Sequence, residues 1–361
     1  MRALYLIRHG HPDFPIGSRI CLGQTDTPLG PLGHLQGVLL ARHFRDIHVE
    51  SVYSSTLSRA METAQHISRA PKRWPMLEEQ YTGLWDGLSF DEIKKRWPNA
   101  YNDRAGSACL LTMPGGEDIG DATMRFTIGV QSALDDTQGD IAIVAHAGVI
   151  RGFVAVHLHE EHMMGFAKVP KLPYCGYWHL TLEDNNLNTL AFAEATPVLA
   201  HPEMDRDLAL RLLWAVTPKH VMKHCLAVEA LALELCEAIP LPLDRARISH
   251  AALLHDIART EKHHADTGAL WLEKLGYPEL ADIIRTHHDL KDPHTIDEAA
   301  IVYIADKAVE EDRRVPIRDR FDASKDKCQT PAALNAWQKR KNDACALQDT
   351  INTLCGKEIL P

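Results

Sequence analysis

The chain changes pattern near residue 200, and that break constrains its folding more than any other feature. Before it, short apolar runs alternate with segments of helical spacing; after it, almost every segment reads as helix. Residues 3–7 and 141–145 are the short, continuously apolar stretches that a mostly parallel sheet buries on both faces. Between them, residues 32–44, 57–68 and 119–134 carry apolar side chains at helical intervals. Residues 177–182 and 189–193 flank the turn-forming cluster Glu183-Asp184-Asn185-Asn186 and read as a closing pair of strands. This alternation predicts an α/β domain over residues 1–196, a mostly parallel sheet with helices on both faces. A weakly patterned stretch bearing Pro197 and Pro202 follows. Residues 207–322 then read as an all-α domain, with Leu/Ala/Ile-rich segments at 226–239 and 246–258. Residues 323–361 read as a helical tail. Its segment 331–355 sets Leu334, Trp337, Ala344, Leu347, Ile351 and Leu354 roughly on one face, expected to pack within the chain. A length of 361 residues fits two domains and such an appendage.

Composition narrows the partners. The formal net charge of -10 argues against a nucleic acid or an anionic membrane, both of which call for a concentrated basic face. Eight cysteines lie scattered with no C-x-x-C pair, which suits reduced thiols in a cytoplasmic protein better than a disulfide framework or zinc ribbon. The apolar run at residues 3–7 is too short for a signal peptide, and no run of eighteen apolar residues occurs. Self-association is left open. The 21 histidines matter only through where they stand, since imidazole serves as nucleophile, base or metal ligand near neutral pH.

Arg8-His9-Gly10 follows the first predicted strand, and the carboxyl edge of a parallel sheet is where open α/β folds place ligands. A histidine attacks phosphorus when its tautomer is fixed and nearby cations neutralise the phosphate. Arg8 offers a planar fork for phosphate oxygens, and Gly10 lets the backbone pass close. Two more strand-to-helix junctions carry Arg59, within Ser54-Ser55-Thr56-Leu57-Ser58-Arg59-Ala60, and His146, within Val144-Ala145-His146-Ala147-Gly148. Glu78-Glu79, ahead of Gly83-Leu84-Trp85-Asp86-Gly87, brings a carboxyl group able to protonate a leaving oxygen. Taken singly, each of these is an ordinary surface charge or core histidine; together they are a phosphate site.

These stretches resemble the histidine phosphatase superfamily, which includes phosphoglycerate mutases and α-ribazole phosphatases. The resemblance runs through Leu6-Ile7-Arg8-His9-Gly10, Gly23-Gln24-Thr25-Asp26-Thr27-Pro28-Leu29, Tyr53-Ser54-Ser55 to Thr63-Ala64, Glu79 to Gly87, Pro114-Gly115-Gly116-Glu117 and His146-Ala147-Gly148. It implies His9 as the phosphorylated nucleophile, Arg8, Arg59 and His146 as the phosphate pocket, and Glu79 as the proton donor, with no cofactor. Glu79 is preferred to Glu78 because it precedes Gly83 by four residues, as the motif requires. The loop His11-Pro12-Asp13-Phe14-Pro15 departs from the mutase pattern, and Cys21-Leu22-Gly23-Gln24-Thr25-Asp26 looks closer to the small phosphatases. By that analogy the expected reaction is hydrolysis rather than mutase transfer.

In the second half, His255-Asp256 stands in an apolar helical run, His224 lies upstream and Asp306 ends the apolar stretch 301–305. Adjacent imidazole and carboxylate suit a first-row divalent metal, and a buried aspartate needs a strong partner, either a metal or an arginine. The order His…His-Asp…Asp resembles the HD superfamily of metal-dependent phosphohydrolases. With His264, His287 and Asp306-Lys307, it resembles the bacterial HD hydrolases that split diadenosine tetraphosphate. The resemblance implies His224, His255, Asp256, His264, His287 and Asp306 as ligands of one or two divalent ions, iron or manganese before magnesium. His263 and His288 are neighbours able to exchange with His264 and His287. Arg259, Lys307 and Arg313 are read either as holding further phosphates or as surface charges. The whole is thus expected to be a bifunctional phosphohydrolase; the alternative is a phosphatase regulated by a non-catalytic, nucleotide-sensing HD domain.

Overall fold

The structure, a computed structural model, describes residues 1–106, 113–158, 166–183, 186–187, 190–197 and 202–360. The chain divides into two compact units, residues 1–200 and 201–361.

The first unit is built on a six-stranded sheet. Strands β1 (Arg2–Arg8), β2 (Ser51–Ser54), β3 (Lys72–Arg73), β4 (Ile141–Ala145), β5 (Tyr177–Leu182) and β6 (Leu190–Thr196) lie in the order β3-β2-β4-β1-β5-β6. The first four are parallel; β5 runs antiparallel to β1 and β6 antiparallel to β5, and this pair closes one edge. Alternate residues of a strand face opposite sides, so a sheet covered twice needs apolar residues throughout. Accordingly Leu4, Leu6, Ile141 and Ile143 pack on one face with Phe126 and Val130 of helix α5 (Ile119–Asp136) and Ile150 and Phe153 of α6 (Ala147–Leu158). Tyr5, Ile7, Ala142 and Val144 pack on the other with Leu40 of α1 (Pro31–His43) and Ala60 and Ala64 of α2 (Ser58–Ile67). Insertion of β4 between β1 and β2 sets three carboxyl ends side by side, and the next residues along are His9, Ser55 and His146. Two short helices, α3 (Phe90–Arg96) and α4 (Pro98–Gly106), lie between β3 and α5, where Trp85, Ile93, Met113 and Cys21 form a separate small core. Of the turn expected at 183–186, residues 184 and 185 lie outside the described residues, as does most of the expected boundary, 198–201.

The second unit is helical: α7 (Arg206–Val216), α8 (Lys219–Ala238), α9 (Arg245–Leu254), α10 (His264–Leu275), α11 (Pro278–Arg285), α12 (Glu298–Lys307), α13 (Ile317–Ser324) and α14 (Pro331–Cys355). Its one strand pairing among the described residues is a two-stranded hairpin, Val309–Glu310 with Arg313–Arg314. Residues 300–307 of α12 and 248–254 of α9 are buried throughout, which makes these two helices the centre of the unit. Buried Glu229 on α8 is answered by the fork of Arg206, with two N–H···O bonds of 2.7 Å, and by the Ser249 hydroxyl at 2.6 Å. The expected division at 322/323 falls inside α13. Helix α14 packs on it: the Trp337 indole donates to the Phe321 carbonyl at 2.9 Å, and Arg340 grips Asp289 through bonds of 2.7 and 2.6 Å.

Candidate active sites

The first site grows from the end of β1. His9 is 6% exposed, and its Nδ1–H donates to the Gly10 carbonyl at 2.7 Å. That fixes the tautomer and leaves the lone pair on Nε2. Burial, then Arg59 and Arg8, hold the His9 imidazole well below its ordinary pKa, so the ring is neutral at pH 7. The His146 ring lies 5.1 Å away, centroid to centroid; its Nε2 meets the Ser55 hydroxyl at 2.8 Å. It too is held well below the ordinary value, by burial and then Arg59 and His9. The loop after β1 presses on α1 because neither side carries a Cβ: one on Gly10 would stand 2.9 Å from the Gly33 carbonyl oxygen, one on Gly33 2.2 Å from that of His11.

Arg59 is fully buried and donates to the carbonyls of Thr25 at 2.9 Å and Gly23 at 2.6 Å. That loop is in turn held by Asp86, whose carboxylate accepts from the backbone N–H groups of Gly23, Gln24 and Thr25 at 2.8–2.9 Å. The two glycine-bearing motifs around 23–26 and 83–87 therefore serve to fix Arg59. Arg8 donates to the Leu172 carbonyl at 2.7 Å and stacks on Tyr174, 3.8 Å from the ring centroid. Among the described residues, Arg8 Nε, Arg59 Nε and His146 Nδ1 are buried nitrogens without a hydrogen-bond partner. Leaving such a group unmet costs about 1–3 kcal/mol, so three around one histidine mark a place for an anionic ligand.

A cavity of about 600 Å³ opens over this centre and is lined by Arg8, His9, Glu79 and Tyr174. Arg59 and His146 lie behind its surface rather than on it. The Glu79 carboxylate accepts from the N–H groups of Gly148 at 2.9 Å and Val149 at 3.1 Å, at the first turn of α6. Glu78 is engaged by the Thr56 hydroxyl and does not line the cavity. Arg19, Arg151, Lys171 and Tyr174 also line it, and sequence reasoning missed all four. Arg19 follows Gly17-Ser18 in the loop after β1, where a second cation near the nucleophile was a readable signal; the others carried none.

In the second unit the six residues expected as metal ligands come together from five elements. His224 stands on α8, His255-Asp256 just past the end of α9, His264 at the start of α10, His287 past α11 and Asp306 in the last turn of α12. His224 Nε2 is 3.2 Å from Asp306 Oδ1, and His255 Nε2 is 3.8 Å from it. Asp256 divides its oxygens: Oδ2 lies 3.7 Å from His255 Nε2, while Oδ1 lies 3.1 Å from His264 Nε2 and 3.7 Å from His287 Nε2. His288 joins rather than exchanges, its Nε2 2.9 Å from His264 Nε2. Exposed His263, in a left-handed conformation ahead of α10, has no contact with the cluster among those described.

The cluster has the chemistry of a metal site. Nδ1–H of His224, His255 and His287 donates to the carbonyls of Glu311, Ala252 and Ile284 at 2.9, 2.7 and 2.5 Å, which presents each Nε2 lone pair to the centre. Nε2 of His255 and of His287 is buried without a hydrogen-bond partner among the described residues. Burial keeps both rings below their ordinary pKa, and it sets His288, with help from Lys307, at about 4. Burial opposes the charge of Asp256, yet His255, the hydrogen bond from His264 and His287 hold its carboxyl below the usual range. Neutral imidazoles beside ionised carboxylates are the protonation states that ligation requires. Arg313 is exposed on the hairpin and outside the adjoining cavity, while Lys307 spends its ammonium on Asp306 at 2.7 Å and the His287 carbonyl at 3.1 Å.

Fold and first site together define an α/β phosphate-binding protein with a neutral histidine at the sheet's carboxyl edge. The chain belongs to the histidine phosphatase superfamily (branch 1), whose family model matches residues 4–194, and it carries an HD domain at residues 221–309. It is 30% identical over 177 residues to a phosphoglycerate mutase-like protein 4 of Arabidopsis thaliana, covering 47% of this chain and 74% of that one. It is 29% identical over 158 residues to a 6-phosphofructo-2-kinase/fructose-2,6-bisphosphatase of Caenorhabditis elegans, over 43% of this chain but 34% of that protein. The chain thus spans about a third of the length of that relative. A solved structure described as mycobacterial hydrolase 2 shares the fold over 59% of this chain and 96% of its own, with a TM-score of 0.50 and 23% identity. No helix among the described residues is long and apolar enough to cross a membrane.

Proposed function

We propose that the chain is a bifunctional phosphohydrolase whose N-terminal domain hydrolyses a small phosphomonoester through phosphorylation of His9. The observation that carries this reading is a neutral His9 with its lone pair on Nε2, among three buried nitrogens that lack partners. Nε2 attacks phosphorus, the ester P–O bond breaks, and Glu79 gives the leaving oxygen its proton. Arg8, Arg59 and His146 donate to the phosphoryl oxygens as charge gathers on them. Water then attacks the phosphohistidine and loses a proton to Glu79, releasing phosphate and restoring both residues. Hydrolysis rather than mutase transfer rests on the His11-Pro12-Asp13 loop.

The HD domain would hold divalent metal through His224, His255 and Asp306 on one side and His264, His287 and His288 on the other, with Asp256 shared between them. Iron or manganese suits this mixed nitrogen and oxygen set. Such an ion supplies Lewis acidity toward phosphoryl oxygens. The residues position it, and the reading is a nucleotide-like phosphoester or phosphoanhydride substrate. A turnover screen with and without chelator, on wild type, His9→Ala and Asp256→Ala, tests both halves. Chelator-resistant activity should depend on His9 and chelator-sensitive activity on Asp256, with metal content measured in each protein; loss of all turnover in chelator alone contradicts the two-centre reading.

A further inference from the structure

Beside the His/Asp cluster lies a cavity of about 670 Å³, and one of its walls comes from beyond the matched HD segment. Arg320, Ser324 and Lys327 line it, from α13 and the short turn of helix that continues it. Their spacing of four and three residues puts them on one helical face. The adjoining face of the same helix is anchored: Ile317 and Phe321 are buried, and Trp337 of α14 bonds the Phe321 carbonyl.

The charges in this cavity are not equivalent. Lys307 is committed to Asp306 and the His287 carbonyl, and Arg259 lies 3.2 Å from His264 Nε2 and 3.7 Å from Asp256. Lys223 faces Asp312 at 4.0 Å, and Glu310, Glu311 and Asp312 make the hairpin side acidic. Arg320 differs. Its Nη2 reaches Asp306 Oδ1 at 3.5 Å, while its Nη1 is buried and has no hydrogen-bond partner among the described residues. Exposed Lys327 stands two turns further along the same face, at the cavity edge.

We propose that α13, held by α14, is a second phosphate-binding wall of the C-terminal site. One phosphate of the substrate then sits at the His/Asp cluster and the next against Arg320 and Lys327. The ligand class is an organic diphosphate or longer polyphosphate rather than a monophosphate. This rests on reading the cluster as a phosphate-handling centre, and it assigns α14 a mechanical part, since α14 fixes the helix that bears the wall.

The test is binding rather than turnover. Adenosine 5′-monophosphate and α,β-methylene adenosine 5′-diphosphate, whose P–C–P link resists hydrolysis, are titrated calorimetrically into the full chain as purified. The metal content of each sample is measured, and Asp256→Ala marks the part of the binding that belongs to this site. Wild type should favour the diphosphate about tenfold or more, the scale of one added charge-assisted contact. Lys327→Ala should cut that preference about threefold or more, leaving monophosphate affinity and metal content unchanged; Arg320→Ala should remove most of it, and Arg320→Lys should restore part. A wild-type preference near unity, or one unmoved by both alanine variants, overturns the proposal. Intact preference without any turnover would instead retire the hydrolytic reading and leave the phosphate wall standing.

Discussion

Replacing Gly148 by alanine should slow the N-terminal reaction without unfolding the domain. A Cβ at this position would stand 2.6 Å from Glu79 Oε1 and 3.1 Å from Oε2. Ordinary contact begins at 3.4 Å, so the nearer oxygen must retreat by about 0.8 Å. The atoms met are the tip of a flexible side chain rather than backbone, so the carboxylate moves and the fold stays. Its bonds from the N–H groups of Gly148 and Val149 loosen, a cost of about 1–2 kcal/mol at the start of α6, partly offset by the better helix propensity of alanine. A misplacement near 1 Å costs about 100-fold in rate, and general acid catalysis is worth about 100- to 10,000-fold. Gly148→Ala should therefore lose about 10- to 100-fold, and Glu79→Gln more. The assay is chelator-resistant turnover of a matched aryl and alkyl phosphate pair. p-Nitrophenolate leaves with little need of a proton, so both losses should be larger on the alkyl ester. The double variant should be no slower than Glu79→Gln alone, because both changes strike one group. Gly148→Ala turnover within about twofold of wild type on the alkyl ester would refute the assignment of Glu79 as proton donor.

Other outcomes follow from the same geometry. Metal analysis should find about two equivalents in wild type, about one in Asp306→Ala and almost none in Asp256→Ala, because Asp256 reaches both groups of histidines while Asp306 adjoins His224 and His255; equal loss in the two variants would contradict a shared carboxylate. Burial, then His34, holds His66 at about 4, below its unfolded value near 6.5. The unfolded chain therefore takes up the proton first as pH falls; the stability from neutral His66 is full above pH ~6.5 and lost on the way to pH ~4. Between pH 7 and 5 this amounts to about 2 kcal/mol, and urea midpoints of His66→Asn should lack that part of the acid sensitivity. Removing residues 331–361 should expose Phe321 and lower the melting temperature of the helical unit while sparing chelator-resistant turnover; unchanged melting would deny α14 a structural part.

Much of this was legible in the chain. The all-apolar runs at 3–7 and 141–145 had to be doubly covered strands, and His9 and His146 follow their ends, so periodicity alone put two histidines at one sheet edge. The partner contacts were not legible. That Asp86 holds the loop that holds Arg59 depends on residues 23–25 meeting both Arg59 and Asp86, which no local pattern encodes. Arg320 was passed over because its segment reads as an ordinary charged helix, Ile317-Arg318-Asp319-Arg320, and only packing separates the arginine facing the cluster from the one facing solvent. His288 and His263 were equivalent in sequence; the turn after α11 carries the first inward, whereas the left-handed residue before α10 stays exposed.

The central claim is that His9 carries the phosphoryl group. Rapid quenching during turnover of a ³²P-labelled phosphomonoester, in chelator, followed by peptide mapping tests it directly. Acid-labile, alkali-stable label should appear on the peptide containing His9, rise in Glu79→Gln if release slows more than capture, and be absent from His9→Ala. Full turnover with no label on that peptide, or label on another residue, would contradict it.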